Sequence, residues 1–242
     1  MLRALTAAFS FLTRIPIAAG SVEPRDLARS LTWFPAVGAA LGAVLVAIAH
    51  LLLGPLSPAM TAVALVAVLA GLTGGLHLDG VADVFDALGG GRGQRDRMLA
   101  ILRDSRIGAH GAAGLVLLLV AKVVATAEIL ERATWALYAA PVAARWAVVP
   151  LVVAFPYARP EGLGKPFHGH AGPAQLLGAT LVAALAIGWL GVAALLPALA
   201  ALAAALALAV WLHRHLGGLT GDVYGAAIEL AELSFLVVAG LF

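Results

Sequence analysis

Three aspartates directly follow an apolar run, and their spacing suits cation binding. Asp79, Asp83 and Asp86 stand at positions i, i+4 and i+7, which place them along one stripe of a helix. Like charges on one stripe repel one another, whereas Mg²⁺ takes carboxylate oxygens and commonly bridges one or two carboxylates to substrate phosphates. The spacing therefore predicts a magnesium site. The alternative is a solvated helix end that binds no ion.

A motif near the C-terminus repeats this arrangement. The pattern Gly-Gly-Leu-x-x-Asp ends at Asp79 in the first copy and at Asp222 in the second, and an acidic residue follows seven positions later in both, Asp86 and Glu229. Two acidic helix starts that converge would add Asp222 and Glu229 to the predicted magnesium ligands. The alternative is that the repeat reflects chance or a shared way of starting a helix.

Basic residues and glycines around Asp104 are suited to phosphate binding. Arg103 and Arg106 flank Asp104, and arginine can match phosphate oxygens with two parallel hydrogen bonds. Glycines in the same segment let the backbone approach a ligand closely. Beside a carboxylate cluster, this pattern predicts a diphosphate clamp. Taken alone, it would indicate a basic anchor at the start of a membrane span.

The composition is that of a membrane protein. The chain of 242 residues is 62% hydrophobic and 12% charged, with a mean hydropathy of +1.01, whereas soluble domains contain about 25% charged residues. The absence of cysteine excludes disulfides, thiolate nucleophiles and cysteine-based zinc sites. His168 and His170 lack a third ligand nearby, so no zinc site is predicted there. Basic residues without interleaved aromatic residues give no indication of nucleic-acid binding.

We expect an all-α, polytopic bundle that forms one domain over residues 1–242. Seven apolar stretches have a length suited to crossing a bilayer, about 17–25 residues. These stretches are Phe34–Leu53, Ala59–Leu76, Gly111–Ala127, Trp135–Phe155, Ala174–Leu190, Gly191–Leu212 and Gly225–Phe242. The last division of the alanine- and leucine-rich region is placed near Gly191–Pro197, and without it six crossings would result. An amphipathic helix lying in the interface is expected within Met1–Ile17.

The distribution of Lys and Arg predicts the orientation, because cytoplasmic loops carry the excess of basic residues. With the N-terminus inside, most basic residues fall in residues 1–30, in a loop over 77–110 and in two later loops on the same side, whereas Arg132 falls outside. Both acidic motifs then lie at the cytoplasmic surface. We therefore expect residues 77–110 to form a cytoplasmic catalytic loop.

Charged residues also occur within the predicted spans. Lys122 and Arg145 lie in apolar stretches, where an ionised side chain costs about 2.5–3.5 kcal/mol or more. Glu229 and Glu232 lie in the first turns of the last span. We expect each of these side chains to face a cavity, a cation or an oppositely charged partner.

Several of these segments together resemble the cobalamin synthase family, the adenosylcobinamide-GDP ribazoletransferases. The resemblance rests on three motifs in the same order along the chain, namely His77–Asp83, Arg97–Gly108 and Leu216–Leu230. The opening Phe11–Pro16 and the stretch Tyr157–Gly164 are also similar. The resemblance thus covers nearly the whole chain.

This resemblance implies a multi-pass, Mg²⁺-dependent enzyme of the inner membrane. Its site would face the cytoplasm, and the protein could form a homo-oligomer. Such an enzyme joins α-ribazole, or its 5′-phosphate, to adenosylcobinamide-GDP and releases GMP. The candidate catalytic residues are then Asp79, Asp83 and Asp104, one acid taking the proton of a ribazole hydroxyl. The candidate metal ligands are Asp79, Asp83, Asp86, Asp222 and Glu229. The candidate substrate-binding residues are His77, Arg103, Arg106, Lys122, Arg145 and Asp222.

Two other functions are alternatives for these residues. A CDP-alcohol phosphotransferase also places aspartates at a membrane surface, but its Asp-Gly-x-x-Ala-Arg pattern fails here, because Asp79-Gly80 is followed by Ala82-Asp83 without the arginine. An ion-coupled transporter would carry carboxylates near the midplane of the membrane, whereas these acids cluster at the ends of spans. GMP release that depends on ribazole would discriminate the three functions.

Overall fold

A computed structural model describes residues 1–15, 23–162 and 164–242. Within these ranges the chain forms α-helices and short 3₁₀ helices and contains no β-strand; the connection from α8 to α9 is long and carries a 3₁₀ turn at Lys165–Phe167. The helices are α1 (Leu2–Leu12), α2 (Pro24–Ser30), α3 (Phe34–Leu52), α4 (Pro58–Thr73), α5 (Leu76–Gly91), α6 (Arg95–Ile101), α7 (Ala109–Arg132), α8 (Ala136–Ala154), α9 (Pro173–Ile187), α10 (Val192–Leu216) and α11 (Gly221–Ala239). The all-α prediction is confirmed. The end of the predicted interfacial helix, Pro16 and Ile17, lies outside the described residues.

The helices fit a polytopic membrane bundle, as predicted. Five helical segments are long and apolar enough to cross a membrane: α2 running on into α3, then α7, α8, α9 with its terminal 3₁₀ turn, and α10. The pair α4 and α5 would be a sixth only as a broken span, since the two are bent by 93°. The remaining predicted span corresponds to α11, whose acidic residues are Asp222, Glu229 and Glu232.

The long alanine- and leucine-rich region divides where the sequence predicted a break. Gly191 has a φ of +60°, a conformation that glycine adopts without a steric cost. It separates the 3₁₀ turn at the end of α9 from the start of α10. The region therefore contains two helices of span length and not one.

The segment predicted as a loop over 77–110 is mostly helical. After a turn through Gly74 and Gly75, whose φ values are +64° and +70°, the chain continues as α5 and then α6. A helix forms because α5 has an apolar side, with Val81 and Val84 buried, which packs against α7 and α11. The aspartates therefore lie on a helix, as their spacing predicted, and this helix is bent by 93° from the direction of α4.

The centre of the bundle is α8, the most buried of the candidate spans. It packs against α3, α9, α10 and α11. Close packing with α3 depends on small residues, since a Cβ at Gly38 would lie 2.3 Å from the backbone oxygen of Pro141. One end of this bundle gathers the α4–α5 turn, the start of α7, the end of α8 and the start of α11. The candidate site lies at that end.

Candidate functional site

The helices α5 and α11 cross so closely that glycine is needed at the crossing. A Cβ at Gly80 would lie 2.5 Å from the backbone oxygen of Asp222, and a Cβ at Gly225 would lie 3.2 Å from the Cα of His77. Side chains at these positions would push the helices apart. The crossing brings the starts of the two acidic motifs together, as the repeat in the sequence predicted.

Asp79 and Asp83 lie on α5 beside Asp222 on α11. Helix α5 lies outside the membrane spans, because it bends away from α4. Burial, together with the neighbouring carboxylates of Asp222 and Asp79, raises the pKa of half-buried Asp83 to about 7. Neither Asp79 nor Asp83 makes a hydrogen bond or ion pair with another described residue. Their oxygens are available to a ligand.

Asp86 has other contacts, because it caps α7. Its two carboxylate oxygens accept the backbone N–H groups of Gly108, at 2.6 Å, and Gly111, at 2.8 Å. Such N–H groups at the start of a helix have no partner within the helix. A Cβ at Gly108 or Gly111 would lie 2.5 or 2.3 Å from a carboxylate oxygen of Asp86. The residue predicted as a metal ligand thus docks the start of α7 onto α5.

Glu229 belongs to a buried ionic network on α7, α8 and α11. The Nζ of Lys122 lies 2.5 Å from Glu229 Oε2 and 2.7 Å from Glu232 Oε2, and Arg145 donates to Glu232 Oε1. All four side chains are at most 5% exposed. Lys122, Arg145, Glu229 and Glu232 therefore each have an oppositely charged partner, one of the surroundings that we expected. For Glu229, which the sequence also offers as a metal ligand, that partner is Lys122, because Lys122 reaches its carboxylate from α7.

The predicted phosphate clamp lies on an exposed loop, where two of its own residues form an ion pair. Arg106 donates to Asp104 through Nη2, at 2.6 Å, and through Nε, at 2.9 Å. These hydrogen bonds hold the pKa of Asp104 at about 2. Ser105 borders the groove described below, but the charged side chains of Arg103, Asp104 and Arg106 border neither of the two spaces at the aspartates.

Arg159 is a basic residue of the site that the sequence did not single out. Its Nη2 donates to Asp222 Oδ2 at 2.8 Å, and the hydroxyl of Thr220 donates to the same oxygen at 3.1 Å. The segment after α8 is fixed there by the backbone, since the N–H of Ala158 donates to the carbonyl of Leu219 at 2.8 Å. The Nε of Arg159 is buried without a partner among the described residues, so it remains able to bind an anion.

A cavity of about 270 Å³ lies beside Asp79. Its walls are mainly apolar and include aromatic rings from several parts of the chain, namely Phe11, Phe34, Tyr157, Phe167 and Tyr224. Besides the two tyrosines, its polar side chains are His77, Asp79, Arg159 and Asp222. We call this space the aromatic cavity. His168, one of the two histidines noted above, supports its wall by bonding the Tyr224 hydroxyl at 2.9 Å.

A second space of about 390 Å³ also borders Asp79. Its polar lining includes Arg14, Asp79, Asp83 and Ser105, and we call it the polar groove. Arg14 is held there because its backbone N–H donates to the carbonyl of Leu72 at 2.7 Å. Asp79 borders both the aromatic cavity and the polar groove, so it stands where two ligands would meet.

The two unpartnered aspartates suit a magnesium ion that is shared with a phosphate. Across residues 1–15, 23–162 and 164–242, no three His, Asp or Glu side chains are grouped as a complete metal site. Mg²⁺ is usually held by one or two carboxylates together with substrate phosphates. Asp79 and Asp83 supply oxygen ligands of that kind. The set fits Mg²⁺ and would be completed by the oxygens of a phosphate ligand.

Comparison with known proteins identifies the family. The family model described as cobalamin-5-phosphate synthase matches residues 4–240. This chain belongs to that family. Among its relatives, the adenosylcobinamide-GDP ribazoletransferases of Ectopseudomonas mendocina and Klebsiella pneumoniae are 44% and 43% identical, with 97% and 98% of this chain and 97% and 99% of theirs aligned. The one from Geotalea daltonii is 41% identical, over 98% of this chain and 96% of its own. No solved structure gives a match.

The family resemblance read from the motifs is therefore confirmed, and it disfavours both the CDP-alcohol phosphotransferase and the transporter. Sequence reasoning missed Arg14 and Arg159 as cations at the aspartates. Both lie in stretches that resemble cobalamin synthases, Phe11–Pro16 and Tyr157–Gly164, and that likeness was the available signal. Because Arg14 and Arg159 are far from Asp79 in the sequence, no local spacing indicates that they lie near it.

Proposed function

We propose that this protein is an adenosylcobinamide-GDP ribazoletransferase, which joins α-ribazole or its 5′-phosphate to adenosylcobinamide-GDP and releases GMP. Full-length relatives of that name at more than 40% identity support this function. The observation that carries it is the position of Asp79, which borders both the aromatic cavity and the polar groove. A group transfer between two substrates needs one point at which both are in reach.

In this proposal the diphosphate of adenosylcobinamide-GDP lies in the polar groove. Asp79 and Asp83 are the residues that would hold Mg²⁺ there, and Arg14 adds a positive charge to the lining of the same groove. When bound, Mg²⁺ supplies positive charge that stabilises the transition state and the departing GMP. Burial and the neighbouring carboxylates of Asp222 and Asp79 raise the pKa of Asp83, and a cation at this position would offset the repulsion between these carboxylates.

The acceptor nucleoside enters from the aromatic cavity. A ribose hydroxyl oxygen forms the new bond to phosphorus as the bond from phosphorus to the GMP oxygen breaks. The hydroxyl proton passes to one of the two carboxylates that border this cavity, Asp79 or Asp222. Asp104 is less suited to that task, because a carboxyl with a pKa of about 2 is a weak base. Arg159, which orients Asp222, acts as a positioning residue.

We also infer that the site faces the cytoplasm from the inner membrane. The end of the bundle that carries the aspartates also carries Arg14, Arg95 and Arg159, in agreement with the excess of basic residues on the inner side. This orientation would expose the site to a nucleotide substrate present in the cytoplasm. The opposite end holds the short connections after α3 and α7, where Arg132 is paired with Glu128.

The test is GMP release by the purified protein from adenosylcobinamide-GDP. We expect release that requires both α-ribazole and Mg²⁺ and that stops when a chelator is added. Asp79→Asn and Asp83→Asn should each lose turnover by about 100-fold or more, because an amide of the same shape cannot replace the charge that holds the cation. Asp96→Asn is the matched control, since Asp96 is 96% exposed on α6. Near-normal GMP release by the first two variants would contradict the mechanism, and GMP release without ribazole would contradict the reaction.

A further inference from the structure

His77 is a buried polar side chain without a partner. It is 2% exposed and borders the aromatic cavity, yet neither ring nitrogen is hydrogen-bonded to any described residue. The nearest carboxylate oxygen, Glu229 Oε1, lies 4.0 Å from Nδ1, which is too far for a hydrogen bond. Leaving a buried donor or acceptor unpaired is unfavourable. A ligand in the cavity that paired with His77 would remove that penalty.

The surroundings of His77 hold the residue in place without satisfying its ring. Glu229 is bound to Lys122 through Oε2, at 2.5 Å, and its other oxygen, Oε1, lies 4.0 Å from Nδ1 of His77, so this carboxylate does not hydrogen-bond the ring. On the backbone side, Gly225 of α11 packs against the Cα of His77. Helix packing thus fixes the backbone of His77 beside the cavity, and both ring nitrogens are buried without a hydrogen-bond partner among the described residues.

The aromatic cavity has the size and the walls of a site for one flat ring system. Its volume of about 270 Å³ falls below the range of about 300–1,000 Å³ that is usual for drug-sized ligands, so it cannot enclose a whole corrinoid. Phe11 contacts Phe167 edge to face, with ring centroids 5.0 Å apart, and stacks on Phe34 at 6.0 Å. Aromatic walls of this kind favour a planar ligand whose ring can pack against them.

We propose that the aromatic cavity binds the planar, uncharged base of the acceptor nucleoside and that His77 donates a hydrogen bond to the free ring nitrogen of that base. This inference rests on the proposed function. In α-ribazole the base is a benzimidazole, in which one nitrogen carries the ribose and the other keeps a lone pair. A neutral imidazole has one N–H to donate. With the base seated in this way, the ribose extends toward Asp79 and Asp222 at the polar part of the lining.

The experiment compares two nucleosides that differ at one atom. In the ribosyl-indole analogue a C–H replaces the free ring nitrogen of the benzimidazole, so the acceptor is lost while the shape is kept. Binding of each nucleoside to the purified protein is measured by calorimetry without adenosylcobinamide-GDP, so that no turnover is needed. We expect the unmodified protein to bind the benzimidazole nucleoside about tenfold more tightly or better, since a buried polar group left unpaired discriminates strongly.

Variants at His77 separate the hydrogen bond from the fold. His77→Phe should bind the two nucleosides with equal affinity, and His77→Gln, whose amide can donate, should recover part of the preference. His50→Phe is the matched control, because His50 is exposed near the end of α3, and it should keep the full preference. Phe34→Ala should weaken binding of both nucleosides and leave their ratio unchanged, which tests the cavity even if His77 variants fold poorly.

Equal affinity of the unmodified protein for the two nucleosides, or a preference that persists in His77→Phe, would overturn the inference. That failure is distinct from failure of the proposed function. If only the inference fails, GMP release remains dependent on ribazole, and the KM for ribazole is unchanged in His77→Phe. If the proposed function fails, the unmodified protein releases no GMP with either nucleoside.

Discussion

The carboxylate of Asp86 accepts the backbone N–H of Gly111 at 2.8 Å, so a side chain of α5 caps the first turn of α7. Its other oxygen accepts the N–H of Gly108 at 2.6 Å. Asp86 shares a helix stripe with Asp79 and Asp83, but both of its carboxylate oxygens accept hydrogen bonds from backbone N–H groups of another helix. Asp79 and Asp83 have no such engagement, and the three aspartates should differ in what their loss does.

Replacing Asp86 with alanine should affect stability more than magnesium use. Loss of a helix cap costs about 0.5–2 kcal/mol, and we expect Asp86→Ala to lower the free energy of unfolding by about that amount. The Mg²⁺ concentration that gives half-maximal GMP release should stay within twofold of that of the unmodified protein. A several-fold increase in that concentration, as we expect for Asp83→Ala, would instead assign Asp86 to the metal.

Arg14 should matter more for nucleotide binding than Arg103. Arg14 borders the polar groove together with Asp79 and Asp83, whereas Arg103 borders neither space at the aspartates. Losing a charge-assisted contact to phosphate costs about 1.5–3 kcal/mol, so Arg14→Gln should raise the KM for adenosylcobinamide-GDP by about tenfold or more. Arg103→Gln, the matched control, should change that KM by less than about twofold. The reverse order of effects would restore the clamp predicted around Asp104.

The buried ionic network should be sensitive to the loss of one partner. Lys122→Met would leave the carboxylates of Glu229 and Glu232 without the ammonium group 2.5 and 2.7 Å away, and breaking a buried pair in this way costs about 3–5 kcal/mol. Thermal unfolding in detergent should show a large loss of stability. Adding Glu229→Gln to Lys122→Met should recover part of it, because one uncompensated charge is then removed.

Arg132 offers a matched comparison for Lys122 on the same helix. Its ion pair with Glu128 is 60% and 51% exposed, and exposed pairs contribute only about 0–1 kcal/mol. Arg132→Met should therefore leave the unfolding temperature nearly unchanged. If Lys122→Met and Arg132→Met lowered the unfolding temperature equally, the buried network would contribute no more to stability than a surface ion pair.

The orientation can be tested with single cysteines, because the chain has none. Gln94, at the start of α6, is exposed at the end of the bundle that carries the aspartates, and Thr134 is exposed at the opposite end. In intact cells an impermeant thiol reagent should label Thr134→Cys and spare Gln94→Cys, and cell lysis should make the latter reactive. Labelling of Gln94→Cys before lysis would place the aspartates outside, away from a cytoplasmic nucleotide.

Local patterns predicted much of this architecture because they depend on neighbouring residues. Hydropathy located the helices, and the glycine at 191 marked the division between α9 and α10. The spacing of Asp79 and Asp83 predicted that both carboxylates lie along one side of a helix. The repeated Gly-Gly-Leu-x-x-Asp pattern predicted that Asp222 lies near them. Each of these inferences concerns residues within a few turns of one another, or two copies of one motif.

Predictions that depended on contacts between distant helices were less successful. The i+7 spacing put Asp86 on the same stripe as Asp79, but the start of α7 had to pack against α5 before its N–H groups could reach that carboxylate. The sequence predicts a cation or an oppositely charged partner for Glu229, and nothing in its spacing distinguishes Lys122 on α7 from a metal ion. Arg14 reaches the groove only because the chain after α1 is bonded to the end of α4.

The buried glutamates of α11 have a consequence for how the protein is made. A charged side chain near the centre of a lone helix costs about 2.5–3.5 kcal/mol on insertion, and α11 carries Glu229 and Glu232 together. Their counter-ions, Lys122 and Arg145, lie on α7 and α8, which leave the ribosome earlier. The final helix is thus poorly suited to partition into lipid by itself, and its integration depends on a partly assembled bundle that already contains the matching charges. We therefore expect truncation before α11 to leave the buried Lys122 and Arg145 without their carboxylate partners.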